Sequence, residues 1–130
     1  MKIVNVIKCV LVSLLCFAPL AHAAKVVPIE GQPLHSEMSY EDARRLFSAA
    51  AAKRGWQIKD GEVDNSLIAD LYVRSHYVSV DITLNQSTYD INYRDSENMK
   101  YKPDGTIHKK YNGWVRNLNS DIQKQLRAAR

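Results

Sequence analysis

The chain has 130 residues, with 18 lysines and arginines against 14 aspartates and glutamates, a formal charge of +4, and 45% hydrophobic residues. That length suits one domain with a single core and excludes a multidomain enzyme. Two cysteines exclude a disulfide-dense scaffold, and the modest charge argues against a dedicated nucleic-acid-binding protein.

At the start of the chain, Lys2 and Lys8 precede or open the apolar stretch Cys9 to Phe17, which is followed by Pro19 and the small-residue site Ala21-His22-Ala23. This order predicts a secretory signal peptide over residues 1–23, cleaved between Ala23 and Ala24. The apolar run is shorter than the ~20 residues of a bilayer span, and Pro19 breaks its end. The other reading is a membrane-anchored lipoprotein acylated at Cys16, but Leu15 is bulky where a small residue is expected. Cleavage leaves 107 residues with 16 basic and 14 acidic side chains, and it removes both Cys9 and Cys16. The exported chain then has no thiol for a disulfide, a metal or a nucleophile, and no stable membrane anchor is expected.

Residues 24–38 contain Pro28, Gly31 and Pro33 with little periodicity, which predicts an irregular leader with a short edge strand at Lys25 to Ile29. Residues 39–130 read as a single α+β domain. Ser39 is a predicted N-cap, followed by Glu41 and Asp42, and Tyr40, Ala43, Leu46, Phe47 and Ala50 recur at helical spacing up to Gly55. A helix is predicted from Tyr40 to about Lys53.

After Gly55 the period becomes two. Trp56 and Ile58, then Leu67 to Val73, Val78 to Leu84, and Tyr89 to Tyr93 alternate with polar neighbours, giving four strands. Connections as short as Ser75-His76 and Asn85-Gln86-Ser87 join only antiparallel neighbours, which predicts a meander. Asp70, Asp81, Asp90, Arg74 and Arg94 mark the other face, expected to be solvated. A polar connection at 96–110 leads to a last helix whose apolar stripe runs through Tyr111, Trp114, Val115, Leu118, Ile122 and Leu126. The predicted architecture is a two-layer sandwich: helix, four-stranded antiparallel meander, helix, with both helices on one sheet face.

Chemistry-bearing patterns are sparse. His35, His76 and His108 stand far apart without metal-ligand spacing, no serine lies in a nucleophile motif, and no glycine-rich phosphate loop occurs. No catalytic residue, metal or cofactor is therefore assigned. The densest group of unusual residues is Ser96, Asn98, Tyr101, His108, Tyr111, Asn112 and Trp114. The predicted fold brings the fourth strand's end and the last helix's start together around the 96–110 connection. Two readings stay open: a binding patch combining directional hydrogen bonds with rigid apolar area, and a polar network that ties the connection to the sheet.

The strings Arg54-Gly55-Trp56, Tyr89-x-Ile91-x-Tyr93-x-x-Ser96-x-Asn98-x-x-Tyr101 and Ile107-His108-x-x-Tyr111-Asn112-x-Trp114-Val115 together resemble a family of small uncharacterised proteobacterial exported proteins and lipoproteins. The resemblance spans about residues 40 to 126 and implies a periplasmic or envelope location. On this basis the expected function is a non-enzymatic binding or structural module of the cell envelope, with an envelope protein or cell-wall component as partner and no nucleic acid. The rival expectation is a small periplasmic hydrolase or lytic-enzyme partner using His108 with Ser96 or Asp104. Oligomeric state is not legible.

Overall fold

The structure, a computed structural model, describes residues 23–129. Of the expected signal peptide, residues 1–23, all but Ala23 lies outside the described residues, Cys9 and Cys16 included. Among the described residues no helix is long and apolar enough to cross a membrane. The fold is α+β, with two helices and antiparallel sheets among the described residues.

Helix α1 (Tyr40–Ala52) begins where predicted, because the Ser39 hydroxyl accepts from the Asp42 amide at 3.1 Å and so satisfies one orphan N–H. The turn that follows it closes at Gly55, whose φ of 88° is open to a residue without Cβ; the Trp56 amide then donates back to the Ala51 carbonyl at 3.0 Å.

Strands β1 (Ala23–Lys25), β2 (Ile29–Pro33), β3 (Gln57–Asp60), β4 (Ser66–Val73), β5 (His76–Leu84), β6 (Thr88–Glu97) and β7 (Thr106–His108) form two sheets. The larger has the order β2-β6-β5-β4-β3, and β1 pairs with β7 separately. Residues 24–38, expected as an irregular leader with one strand at Lys25 to Ile29, thus contribute strands to both sheets. The residues between them, Val26 to Pro28, leave the ladder at Pro28, which has no amide hydrogen to donate. The predicted cleavage point falls inside β1, leaving Ala24 and Lys25 paired with Ile107 and Thr106.

The alternating apolar residues meet in register: Leu67 opposes Ile82, Ala69 opposes Val80, and Ile82 opposes Ile91. Together with Phe47 of α1 and Leu118 and Ile122 of α2 (Lys110–Ala128), they form one core, each 1% exposed or less. Full burial of each such large side chain contributes roughly 1.5–3 kcal/mol. The outward sheet face is less open than expected, since Asp70 is 8% and Ser79 0% exposed. Lys59 pairs with Asp70 at 3.1 Å and the Tyr77 hydroxyl donates to it at 3.0 Å. Burial works against the Asp70 charge, but the facing Ser79, Lys59 and Tyr77 outweigh it and hold the carboxyl below its ordinary range.

A polar network fastens β2 to α2. The Gln123 amide donates to the Pro33 carbonyl at 3.0 Å and to the Tyr89 hydroxyl at 2.9 Å, while the Tyr89 hydroxyl donates to Asn119 Oδ1 at 2.5 Å. His35 Nε2 donates to Gln123 Oε1 at 2.7 Å. Burial is the main cause that pushes the Tyr89 phenol up to about 12. The folded state thus holds this proton more tightly than the unfolded chain. Its contribution to stability is complete below ~pH 10, the ordinary tyrosine value, and is lost as pH rises through about 12. Denaturant melts across this range are expected to fall steeply for the native chain and less steeply for Tyr89→Phe, which itself costs about 1–3 kcal/mol at neutral pH by stranding Gln123 and Asn119. Equal slopes for the two chains would remove Tyr89 from the account.

Candidate functional site

The 93–114 region is assembled by three devices. The first is a β-bulge: Ser79 opposes Asp95 while Val80 opposes Tyr93, so Arg94 is an extra residue in β6. The insertion reverses the alternation, so that Ser96 pairs with Val78 and shares the face of Tyr93. The Tyr93 and Ser96 hydroxyls consequently lie 2.8 Å apart. The displaced Arg94 binds Glu62 at 2.5 Å and sits 3.6 Å from Asp81.

The second device is a pair of left-handed residues, Asn98 (φ 56°) and Lys100 (φ 55°), which turn the chain back after β6. Between them Met99 is buried, and its carbonyl accepts from the His108 amide at 2.8 Å. The Asn98 amide donates to the Ser75 hydroxyl at 2.8 Å, pinning the tight turn between β4 and β5. His76, at the start of β5, donates from Nδ1 to the Asn98 carbonyl at 2.6 Å, because a carbonyl can only accept.

The third device is Asn112 in the first turn of α2. Its amide accepts from the Val27 N–H at 3.0 Å and donates to the Lys25 carbonyl at 2.7 Å, clamping the chain between β1 and β2.

Two aromatic groups result. The Tyr101 ring stacks on Tyr93 with centroids 4.1 Å apart and planes 16° apart, and Tyr111 meets Tyr93 edge-on at 5.9 Å. Beside the β4–β5 turn, His76 lies 5.7 Å from His108 and 6.2 Å from Trp114. His108 Nδ1 accepts from the Lys110 amide at 3.1 Å, taking a capping role that the ammonium of Lys109, which has no acceptor, cannot perform. Burial, then His76 and the lysines at 110, 100 and 109, push the His108 imidazole below its ordinary value, which favours the neutral acceptor form.

The structure therefore brings the seven predicted residues into connected groups but gives them different duties. Tyr111 is 1% exposed and lies in the core, Asn112 spends its amide on the main chain of 25–27, and Ser96 is engaged with Tyr93. Tyr101 remains 44% exposed, and Asn98 is exposed. His76 and Tyr93 belong to the site yet escape sequence reasoning, His76 because a residue in a tight turn reads as merely solvent-facing.

For acid–base chemistry, His108 would need Ser96 or Asp104. Asp104 Oδ1 accepts from the Thr106 amide at 2.9 Å and hydroxyl at 2.7 Å, and Ser96 bonds Tyr93, so each candidate partner is engaged elsewhere. Among the described residues no three His, Cys, Asp or Glu side chains converge as metal ligands. An open groove of about 750 Å³ lined by Leu34, Met38, Tyr40 and Leu84 among others includes none of the seven residues. Compared with protein-family models, with curated proteins and with solved structures, this chain finds no match.

Proposed function

We propose that this chain is an exported, non-enzymatic binding module of the bacterial cell envelope, which acts in the periplasm and meets its partner through the end built from residues 93–114. The observation that carries the reading is the stacked Tyr93–Tyr101 pair beside the His76–His108–Trp114 group, a rigid aromatic surface held by hydrogen bonds from three separate chain segments. Aromatic side chains with polar tips give contact area at low entropic cost. The motif resemblance to proteobacterial exported proteins supports the location.

The test combines export and contact. Full-length chain expressed in a Gram-negative host is expected in the periplasmic fraction with a mass beginning at Ala24, and crosslinking in intact cells is expected to capture an envelope component. Replacing Tyr101 and Trp114 by alanine should lower capture at least tenfold while the circular dichroism spectrum is retained. Cytoplasmic retention, or capture undiminished in a folded variant, would overturn the reading.

A further inference from the structure

Charge is distributed unevenly over the exported chain. Lys25, Lys100, Lys102, Lys109 and Lys110 are all exposed, and hydrogen bonds of the 25–27 segment to Asp104, Gly105 and Asn112 place them at the same end of the domain. Among the described residues, the ion pairs all involve other cations: Arg44, Arg45, Arg54, Lys59 and Arg94. Asp95, Glu97 and Asp104 lie within it as well, Asp95 accepting from the Ser96 amide and Asp104 committed to Thr106. With Arg94 included, this end carries six basic and three acidic residues, and the remainder of the exported chain has one more acidic than basic residue. A nearly neutral protein thus has one strongly positive end.

The Lys25 ammonium donates to the Asp104 carbonyl at 2.7 Å, whereas among the described residues the other four lysines make no side-chain hydrogen bond or ion pair. The first turn of α2 holds no acidic residue, and Lys109 and Lys110 stand at a helix N-terminus, where cations are unfavourable. Lys100 and Lys102 flank Tyr101, whose ring is 44% exposed, and Val27 is 56% exposed beside the Asn112 clamp. Of the four exposed large hydrophobic residues among the described residues, two are therefore at the lysine-bearing end. Lysines around an exposed tyrosine and an exposed aliphatic side chain match a surface that presents negative headgroups over an apolar layer.

We propose that this end docks reversibly on an anionic lipid membrane, with the lysines among the headgroups and Tyr101 and Val27 at the boundary of the acyl chains. The proposal rests on reading this end as the contact surface and adds what it contacts. Each lysine near such a surface contributes about a fivefold factor in partitioning. Docking of this kind is electrostatic and weakens as salt screens it.

The chain recovered from the periplasmic fraction is mixed with vesicles of phosphatidylglycerol and phosphatidylcholine, or of phosphatidylcholine alone, and sedimented. Binding to the anionic vesicles is expected, at least tenfold tighter than to neutral ones, and lost between about 0.05 and about 0.5 M salt. The double variant Lys102→Glu, Lys109→Glu should bind at least about 25-fold more weakly. Its fold should be retained, since Glu suits the start of α2. The variant Lys53→Glu, Lys124→Glu makes the same charge change at exposed positions away from this end and should stay within about threefold of the native chain. Equal loss in both variants would reduce the effect to net charge and overturn the docking surface, as would absent binding or equal binding to neutral vesicles. If vesicles fail but crosslinking still captures a protein or an acidic glycan through Tyr101, the lipid is wrong and the contact surface survives. If both fail, so does the reading beneath.

Discussion

Phe47→Ala is expected to lower the unfolding free energy by about 3–5 kcal/mol, the range for truncating a buried aromatic. Phe47 is fully buried, and its ring meets Tyr89 edge-to-face with centroids 5.0 Å apart and planes at 77°. It therefore joins α1 to the sheet at the residue that also anchors the polar network to α2. Loss of the ring opens a cavity where α1, β6 and α2 converge and removes the aromatic pairing as well. Domains of this size have only about 5–15 kcal/mol in total, so the melting temperature should fall by roughly 4–8 °C for each kcal/mol lost. Leu46→Ala, one residue earlier and only partly buried, should cost clearly less. Comparable losses at the two positions in a urea titration would show that the core is not centred on Phe47.

Gly61→Ala tests the turn between β3 and β4. A Cβ built at Gly61 would lie 1.9 Å from the Ser66 hydroxyl oxygen, 2.7 Å from its main-chain carbonyl carbon and 2.8 Å from its Cβ. The Gly61 amide also donates to the Ser66 carbonyl at 2.9 Å, so the hairpin cannot widen without losing that bond. The expected cost is about 1–3 kcal/mol from forced backbone displacement. The Ser66→Ala change should not rescue it, because the main-chain clash persists. Rescue by that second change would locate the conflict in the hydroxyl alone and reject the account.

The signals that were legible are local ones. Ser39 before an apolar helical period, Gly55 at its end and the two-residue alternation of Leu67 to Val73 and Val78 to Leu84 each act within a few residues, so the helix and the antiparallel strands could be read from their spacing. The network around Gln123 could not. Its partners His35, Tyr89 and Pro33 are 88, 34 and 90 residues away, and nothing in a polar side chain's local context names so distant a partner.

The seven-residue cluster illustrates the same division. Its residues were recognisable by type, as aromatic and amide side chains gathered around one connection. Their duties were not, since Asn112 and Tyr101 look equally suited to holding a ligand and to holding the chain. Tertiary contacts separate them, clamping Asn112 to the main chain of 25–27 and leaving Tyr101 exposed over Tyr93.

By itself the amino-acid sequence determined the α+β class, the two helices with the cap of the first, the strand pairings that short turns enforce, and the cysteine-free composition of residues 24–130. Only the tertiary structure decided three further matters: that Ile29–Pro33 joins the large sheet beside β6, that Ala23–Lys25 closes on β7, and that Arg94 is squeezed out of β6. The physical reason is that alternation fixes a strand's faces only while every residue is paired. One inserted residue reverses the parity of all that follow, which is why Ser96 comes to lie beside Tyr93. Pairing between distant segments likewise depends on which edge is left uncovered once the core has formed, and that is where the 25–27 segment brings Lys25 and Val27 to the positive end of the domain.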